Sequence, residues 1–308
     1  MAATPQPASP GLGGPAAPAP PEGAFDARRT DLAAKLRDYG RRYPTAVAGG
    51  IILVLLALVA VIAPFIAPDP VRLNPINRLK PPSGDFWFGA DFLGRDIYAR
   101  VIYGTRISLT VGLTVAAISV VGGLAIGLLA GYVRWVDTVV MRVMDGVMAI
   151  PGVLLAIALI SLTGAGVGNV IIAITVPEIP RVVRLVRSVV LSIREQPYVE
   201  AAVAGGTRLP KILWMHILPN TVAPLIVQAT YVCASAIVIE AILSFLGAGT
   251  PPEIPSWGNI MAEGRVYVQV APWMIFFPGV FLAIAVLAVN ILGDGLRDSL
   301  DPRIARRM

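Results

Sequence analysis

Two glutamates stand in stretches of the sequence that are otherwise apolar. Glu178 lies in "ITVPEIP" with Arg181 three residues further on, and Glu240 lies in "AIVIEAILSF". A buried carboxylate needs a cation, a hydroxyl or a ligand, because an unpaired charge away from water is costly. Glu178 could pair with Arg181 on the same helix or receive the ammonium of a transported solute, and the sequence leaves both open. Both glutamates are therefore candidates for the translocation path, although for Glu240 bonds to neighbouring helices are favoured.

Residue types that perform catalysis or bind metals are scarce. The chain has one histidine, His216, and one cysteine, Cys233, which cannot make a zinc ligand set. It contains no G-x-S-x-G sequence for a serine nucleophile and no G-x-x-x-x-G-K-[ST] loop for a nucleotide. We expect no catalytic residue, metal site or cofactor on this chain.

The composition is that of an integral membrane protein. Hydrophobic residues make up 56% of the 308 residues, charged residues only 14%, and the mean hydropathy is +0.74. Residues 1–27 are rich in Pro, Ala and Gly and are predicted to be a disordered cytoplasmic tail, and residues 28–304 to form one transmembrane domain. Five windows are long enough to span a bilayer: 45–67, 108–131, 139–162, 222–246 and 273–292.

A sixth stretch, 167–190, carries Glu178 and three arginines. We predict that it spans with its polar face turned into a bundle, a re-entrant helix being the alternative. Six spans place 18 of the 25 Lys and Arg residues on one side, which makes both termini cytoplasmic. The expected fold class is thus an all-α membrane protein with six transmembrane helices, an outer loop at 68–106 and a cytoplasmic loop at 191–221.

The cytoplasmic loop contains "EAAVAGGTRLPKILWMHILPN", residues 200–220. This stretch predicts a helix, a break at Gly205 and Gly206, and a second short helix that is capped by Thr207 and is bent or ended by Pro219 and Pro224. Its small residues would let a partner approach closely. The apolar side chains expected to face that partner are Ile212, Leu213, Met215 and Ile217.

The same stretch resembles the EAA loop of ATP-binding-cassette (ABC) importer permeases. His216 stands where the general pattern has Ile, and it resembles the "HILPN" ending of the peptide and nickel branch. Three further stretches, 88–109, 240–265 and 290–303, are similar to the C-type permease of dipeptide and oligopeptide importers. The matching positions in the loop are Glu200, Ala201, Ala202, Gly206, Leu218 and Pro219.

The resemblance implies a type I importer fold in which this loop is the coupling helix. The implied partners are a homologous second permease, two ATPase subunits that bind ATP and Mg, an extracytoplasmic binding protein, a peptide substrate and the lipid bilayer, with no nucleic acid. A nickel chelate or another small solute is the alternative substrate. A secondary transporter without an ATPase is a weaker alternative, because it gives no reason for the coupling loop.

Three smaller expectations concern the loops. The rings at 86–92 either plug the outer vestibule and contact the binding protein or form an interfacial belt, and the sequence does not choose. Trp257 and Trp273 are expected to anchor the chain at the membrane interface. Asp145 is expected to pair with Arg142, three residues earlier.

Overall fold

The computed structural model describes residues 40–300, a part of the chain that folds as helices joined by loops, of which residues 67–96 form a long one. Residues 1–39, which include the predicted tail, and residues 301–308 lie outside the described residues. From Pro44 to Leu300 the α-helices are α1 (Pro44–Ile66), α2 (Ile97–Tyr132), α3 (Arg134–Met148), α4 (Gly152–Thr163), α5 (Val167–Arg194), α6 (Pro197–Ala204), α7 (Leu209–Ile212), α8 (Leu218–Phe245), α9 (Trp257–Gly264) and α10 (Trp273–Leu300).

Four helices are long and apolar enough to cross a membrane. They are α1, α2, the continuous helix from Leu209 to Phe245, and α10. These four contain the predicted windows at 45–67, 108–131, 222–246 and 273–292 except for one residue at each of two helix ends, Ala67 and Leu246. The sequence therefore located these membrane helices well, because long apolar runs are a strong signal.

The window at 139–162, predicted as a span, is formed by two helices instead of one. It contains most of α3 and α4, which are separated by residues 149–151 and bent by 87°. Pro151 causes the break, because it has no N–H and disfavours a helical conformation at Ile150. Taken together, α3 and α4 could form one broken span, which would raise the number of candidate spans from four to five.

The ambiguous stretch at 167–190 is one continuous helix. Helix α5 has 28 residues, which is a length of about 42 Å, and it runs through Pro177 and Pro180. Its charged residues keep it out of the set of strongly apolar helices. That α5 crosses the membrane stays a prediction.

A seam of small residues joins α2 to α5. A Cβ atom added to Gly123 would lie 2.5 Å from the Cβ of Val182, and one added to Gly127 would lie 2.7 Å from the Cβ of Val186. One turn further along, Gly131 meets Val190 in the same way. Glycine at every fourth residue thus lets two membrane helices approach closely, as in other small-xxx-small contacts.

Candidate functional site

The elbow, which we define as residues 197–219, turns sharply at its glycine pair. Gly206 has a φ of +77°, a left-handed conformation that costs other L-residues free energy. Its N–H donates to the carbonyl of Val203 at 2.9 Å, and the N–H of Thr207 donates to the carbonyl of Ala202 at 3.0 Å. These two bonds form a Schellman motif that closes α6. Gly206 is therefore required by the geometry of the turn.

The second arm of the elbow differs from the prediction in two ways. Thr207 does not cap the next helix, since Arg208 occupies that position and makes no side-chain capping bond. Neither Pro219 nor Pro224 ends the helix, which continues from α7 through a π turn into α8. The π turn, Leu213–Ile217, is followed by Leu218, whose N–H donates to the carbonyl of Leu213, and by Pro219, which has no N–H to donate, and the helix continues past both.

Side-chain exposure along this arm also corrects the prediction. Ile212 and Ile217 are buried against the rest of the chain, so they are not available to a partner. Met215 is 56% exposed, as predicted, and Leu213 is half-buried, whereas Trp214, which the sequence analysis did not name, is 73% exposed. The π turn explains the difference, because its wider winding turns residues five apart to the same face. The exposed ring of Tyr198 on α6 lies 6.1 Å from the His216 ring of this arm, measured between centroids, and exposed apolar side chains of this kind are typical of a protein contact.

The residues that match the EAA pattern lie mostly on the open side of the elbow. Glu200, Ala201, Gly206 and Pro219 are exposed, and Ala202 and Leu218 are half-buried. Among the described residues, the Glu200 carboxylate has no hydrogen-bond or ion-pair partner. No group in the described chain therefore bonds to the Glu200 carboxylate, which is available to another molecule.

Glu178 is buried, and only one of its carboxylate oxygens is satisfied. Oε1 accepts from Nη1 of Arg181 at 2.8 Å and from the hydroxyl of Ser235 on α8 at 3.3 Å. Oε2 has no partner among the described residues. The pairing with Arg181 is thus present, while contact with a solute stays a prediction.

The hydroxyl of Ser119 on α2 is the other buried side-chain group without a partner in residues 40–300. Ser119 continues the four-residue series of Gly123 and Gly127, and Glu178 continues the matching series of Val182 and Val186. The seam's register therefore places the two unsatisfied groups at facing positions on α2 and α5.

Glu240 is fully buried and is held by hydroxyl groups. Ser244, one turn further along α8, donates to its Oε1 at 2.8 Å, and Ser108 on α2 lies 3.5 Å from its Oε2. The described part of the chain provides no salt-bridge partner for this carboxylate. Glu240 thus links α8 to α2, as the sequence analysis favoured.

The chain matches two family models. Residues 123–306 match the binding-protein-dependent transport system inner membrane component, and residues 41–82 match the N-terminal transmembrane domain of oligopeptide transport permease C. The first match covers more than half of the chain. The chain belongs to this permease family. The permease is accordingly a multi-pass protein of the inner membrane and a C-type subunit, and such a subunit is not itself an enzyme.

Curated relatives share most of the permease's length. It is 59% identical over 267 residues to a probable peptide ABC transporter permease, y4tQ, of Sinorhizobium fredii, covering 87% of this chain and 92% of the relative. It is 43% identical to the dipeptide permease DppC of Alkalihalophilus pseudofirmus, with 84% and 86% covered. It is 40% identical to the glutathione permease GsiD of Pectobacterium atrosepticum, with 87% and 91% covered.

A solved structure confirms the fold at lower sequence similarity. The permease is similar to a chain of the inward-facing MetNI methionine ABC transporter, with a TM-score of 0.57 and 21% identity. The match covers 67% of this chain and 98% of that chain. At this identity the likeness concerns the arrangement of helices alone.

The sequence analysis missed a four-charge cluster in the permease, formed by Asp91, Arg95, Arg100 and Glu263. Arg95 bonds to Asp91 and to Glu263, each at 2.6 Å, and Arg100 bonds to Asp91 at 2.9 Å and to Glu263. The side chains of Asp91 and Arg100 are 0% and 1% exposed. This cluster ties the segment before α2 to the end of α9. The i,i+4 spacing of Asp91 and Arg95 was a visible signal, but Glu263 is too distant in sequence to be paired with them.

The aromatic residues of the 68–106 segment pack on the permease itself. Phe88 stacks on Phe277 of α10 with ring centroids 4.1 Å apart, and Phe92 stacks on Tyr267 at 5.5 Å. Trp87 remains exposed. The segment is therefore folded onto the helices, and its contact with a binding protein stays a prediction.

Three expectations about loop residues need correction or refinement. Trp257 is wholly buried and donates to the carbonyl of Val101 at 3.2 Å, so it is a core residue and no interface anchor. Trp273 is half-buried and donates to the carbonyl of Ala90 at 3.2 Å. Asp145 pairs with Arg184 of α5 at 2.6 Å rather than with Arg142, because α5 packs beside α3.

Proposed function

We propose that this permease is a subunit of an ATP-driven importer that moves dipeptides and oligopeptides across the inner membrane by alternating access. The observation that carries the proposal is an elbow with an unpaired Glu200 and an exposed Trp214, on a chain 59% identical to a probable peptide ABC transporter permease. An exposed apolar elbow next to a free carboxylate is suited to docking on another protein.

The proposed topology has six spans and cytoplasmic termini. The spans are α1, α2, the broken pair α3 and α4, α5, the helix from Leu209 to Phe245, and α10. The length of α5 supports its inclusion, since about 42 Å exceeds the thickness of about 30 Å of the hydrocarbon core. The distribution of Lys and Arg then puts the elbow in the cytoplasm.

Each half of the elbow has a proposed role in coupling to an ATPase. Glu200, exposed on α6, would accept charge-assisted hydrogen bonds from the ATPase. Ala201 and Ala202 would allow close approach, and Gly206 holds the turn. Leu218 and Pro219 join the elbow to α8, so that a displacement of the docked elbow reaches the membrane helix directly.

The remaining subunits of the complex are proposed from the permease family to which the chain belongs. Two ATPase subunits would bind ATP and Mg, a second permease would complete the path, and an extracytoplasmic binding protein would deliver the solute. Glu178 and Glu240 are the proposed polar groups along the path. The unpaired Oε2 of Glu178 supports such a role for that residue, whereas Glu240 is already held by two serines.

Peptides are the proposed substrate class. The relatives named above are permeases for peptides, for dipeptides and for glutathione, which is itself a tripeptide. A nickel chelate has no observation in its favour. A secondary transporter is not favoured either, because it would not need a docking elbow.

The test is ATPase activity of the complete complex in nanodiscs, with its second permease, ATPases and binding protein. We expect peptide-loaded binding protein to stimulate hydrolysis, and we expect Glu200→Lys and Gly206→Pro to abolish the stimulation while the complex stays intact. Glu195→Lys is the matched control, because Glu195 is also exposed but lies before the elbow. Transport without any ATPase, or elbow variants that behave like the wild type, would overturn the proposal.

A further inference from the structure

Helix α3 is held in the permease in an unusual way. None of its 15 residues is buried, although it lies wholly within the part of the chain that the structure describes. The apolar residues Trp135, Val139 and Val143 form an exposed stripe along one face. Val136, Val140 and Met144 on the other face are only half-buried, so apolar burial contributes less to the position of α3 than it does for α2, α5 and α8.

Two ion pairs connect the opposite face of α3 to α5. Arg187 binds both carboxylate oxygens of Asp137, through Nε to Oδ1 and through Nη2 to Oδ2 at 2.7 Å. Arg184 binds Asp145 at 2.6 Å. The Asp137 and Arg187 side chains are 23% and 30% exposed, so water screens this pair only in part. Because two parallel bonds fix orientation as well as distance, the first pair resists rotation of α3 against α5.

The helix that carries these arginines leads directly into the elbow. Only residues 195–196 separate the end of α5 at Arg194 from the start of α6 at Pro197. Arg194 also donates to the carbonyl of Gly131 at the end of α2, at 3.1 Å. A displacement of the elbow therefore reaches α5 directly at the N-terminal end of the elbow, as it reaches α8 at the other end.

The other end of α3 meets the break at residues 149–151. There the chain bends by 87° and α4 begins. A short non-helical joint between two helices can absorb a change in backbone angles that neither helix could absorb alone. Helix α3 thus has a rigid ionic attachment to α5 and a hinge-like attachment to α4.

We propose that Asp137 and Asp145 are positioning residues that make α3 move with α5 and the elbow, so that α3 turns against α4 about the 149–151 break during transport. The inference rests on the proposed function, since it requires an elbow driven by an ATPase. In this proposal Arg184 and Arg187 transmit the displacement of the elbow to α3, the first helix of the broken pair.

The test exchanges the charges of the stronger pair in the complete complex. The variants are Asp137→Arg, Arg187→Asp and the combination of both. Each single reversal sets two like charges against each other, and we expect the ratio of peptide-stimulated to basal ATPase activity to fall about tenfold, the size of a typical coupling between sites. The combined variant restores opposite charges, and we expect it to recover most of that ratio.

A distance measurement separates positioning from simple stability. Spin labels at Thr138→Cys on α3 and Leu154→Cys on α4 report the distance across the break, both positions being exposed. We expect the distance to change between nucleotide-free and ATP-trapped wild type, to stay constant in each single reversal, and to change again in the combined variant. Arg142→Asp is the control, because Arg142 is exposed on α3 and has no ion-pair partner among the described residues.

The outcomes are distinct. If the single reversals keep both the stimulation and the distance change, or if an assembled combined variant restores neither, the inference is overturned. A reversal that lowers the melting temperature and both ATPase rates in proportion shows a structural role and also overturns it. If the wild type itself shows no peptide stimulation, the proposed function fails instead. Asp137→Asn replaces any single reversal that does not assemble, with the same loss expected in a milder form.

Discussion

Charged residues are paired and buried in the four-charge cluster, whereas the elbow has an exposed and unpaired carboxylate. In the cluster, Asp91, Arg95, Arg100 and Glu263 satisfy one another, and their side chains are almost fully enclosed. In the elbow, Glu200 is exposed and unpaired among the described residues, and the nearby Trp214 is also exposed. The difference indicates where the chain completes its own structure and where it depends on a partner. Removing a group from the cluster should cost stability, and removing one from the elbow should cost coupling.

The largest expected effect on stability comes from breaking the cluster. Arg100→Met removes a guanidinium that contacts both Asp91 and Glu263, and leaves Arg95 as the one remaining cation for these two carboxylates. We expect a loss of about 3–5 kcal/mol in the free energy of unfolding. Thermal unfolding of the complex in detergent would measure it.

The matched control for this prediction lies two turns further along α2. Arg106 is exposed and has no salt-bridge partner in the described range 40–300, so Arg106→Met should change stability by less than about 0.5 kcal/mol. Equal losses of unfolding free energy for Arg100→Met and Arg106→Met would show that the cluster contributes no special stability. The cluster would then not differ from the elbow in that respect.

An intermediate effect is expected where the elbow depends on its own backbone. Gly206→Ala puts a Cβ on a residue with a φ of +77°, although no atom crowds the site. We expect a cost of about 1–2 kcal/mol, because left-handed backbone is unfavourable for any residue with a Cβ. Gly205→Ala is the control: Gly205 has a φ of −74°, and an added Cβ would lie 3.3 Å from the carbonyl oxygen of Ala201, so we expect a smaller cost from this contact than from a left-handed backbone.

The two alanine variants are compared by thermal unfolding and by peptide-stimulated ATPase activity. Gly206→Ala should lower both, since the turn sets the direction of α6. If Gly205→Ala proved as damaging as Gly206→Ala, bulk at the elbow surface rather than backbone conformation would be the critical property, and a close-packed partner would explain it.

Local chemistry made part of the elbow predictable from the sequence. The glycine break at Gly206 follows from backbone conformation, and Glu200 follows from its place in the EAA pattern. Which apolar residues of the elbow are exposed could not be predicted, because a π turn shifts the helical register. As a result Ile212 and Ile217 are buried and Trp214 is exposed. Straight-helix periodicity contains no signal for that shift.

Long apolar helices were predictable for a similar reason, and contacts between distant segments were not. The windows for α1, α2, α8 and α10 follow from hydropathy alone. The pairing of Asp145 with Arg184 instead of Arg142, and of Arg100 with Glu263, depends on how helices pack after they form. The burial of Trp257 has the same origin, since only the fold of the segment before α10 places that indole against the carbonyl of Val101.

The smallest expected effect on stability is that of Trp214→Ala. This variant tests most directly whether the elbow serves binding rather than stability. The side chain is 73% exposed, so truncation should change the free energy of unfolding by less than about 0.5 kcal/mol. A tryptophan in a protein contact, by contrast, commonly contributes about 2 kcal/mol or more to binding. We therefore expect Trp214→Ala to leave the melting temperature of the chain unchanged and to weaken its association with the ATPase subunits, measured by titrating purified ATPase onto permease in nanodiscs.

Trp135→Ala is the control, since Trp135 is equally exposed but lies on α3. Loss of binding in both variants would show that exposed tryptophans in general, and not the elbow in particular, contact the ATPase. Unchanged binding in the Trp214 variant would mean that Glu200 and the backbone of the elbow are sufficient for docking, and the apolar part of the proposed surface would then face lipid.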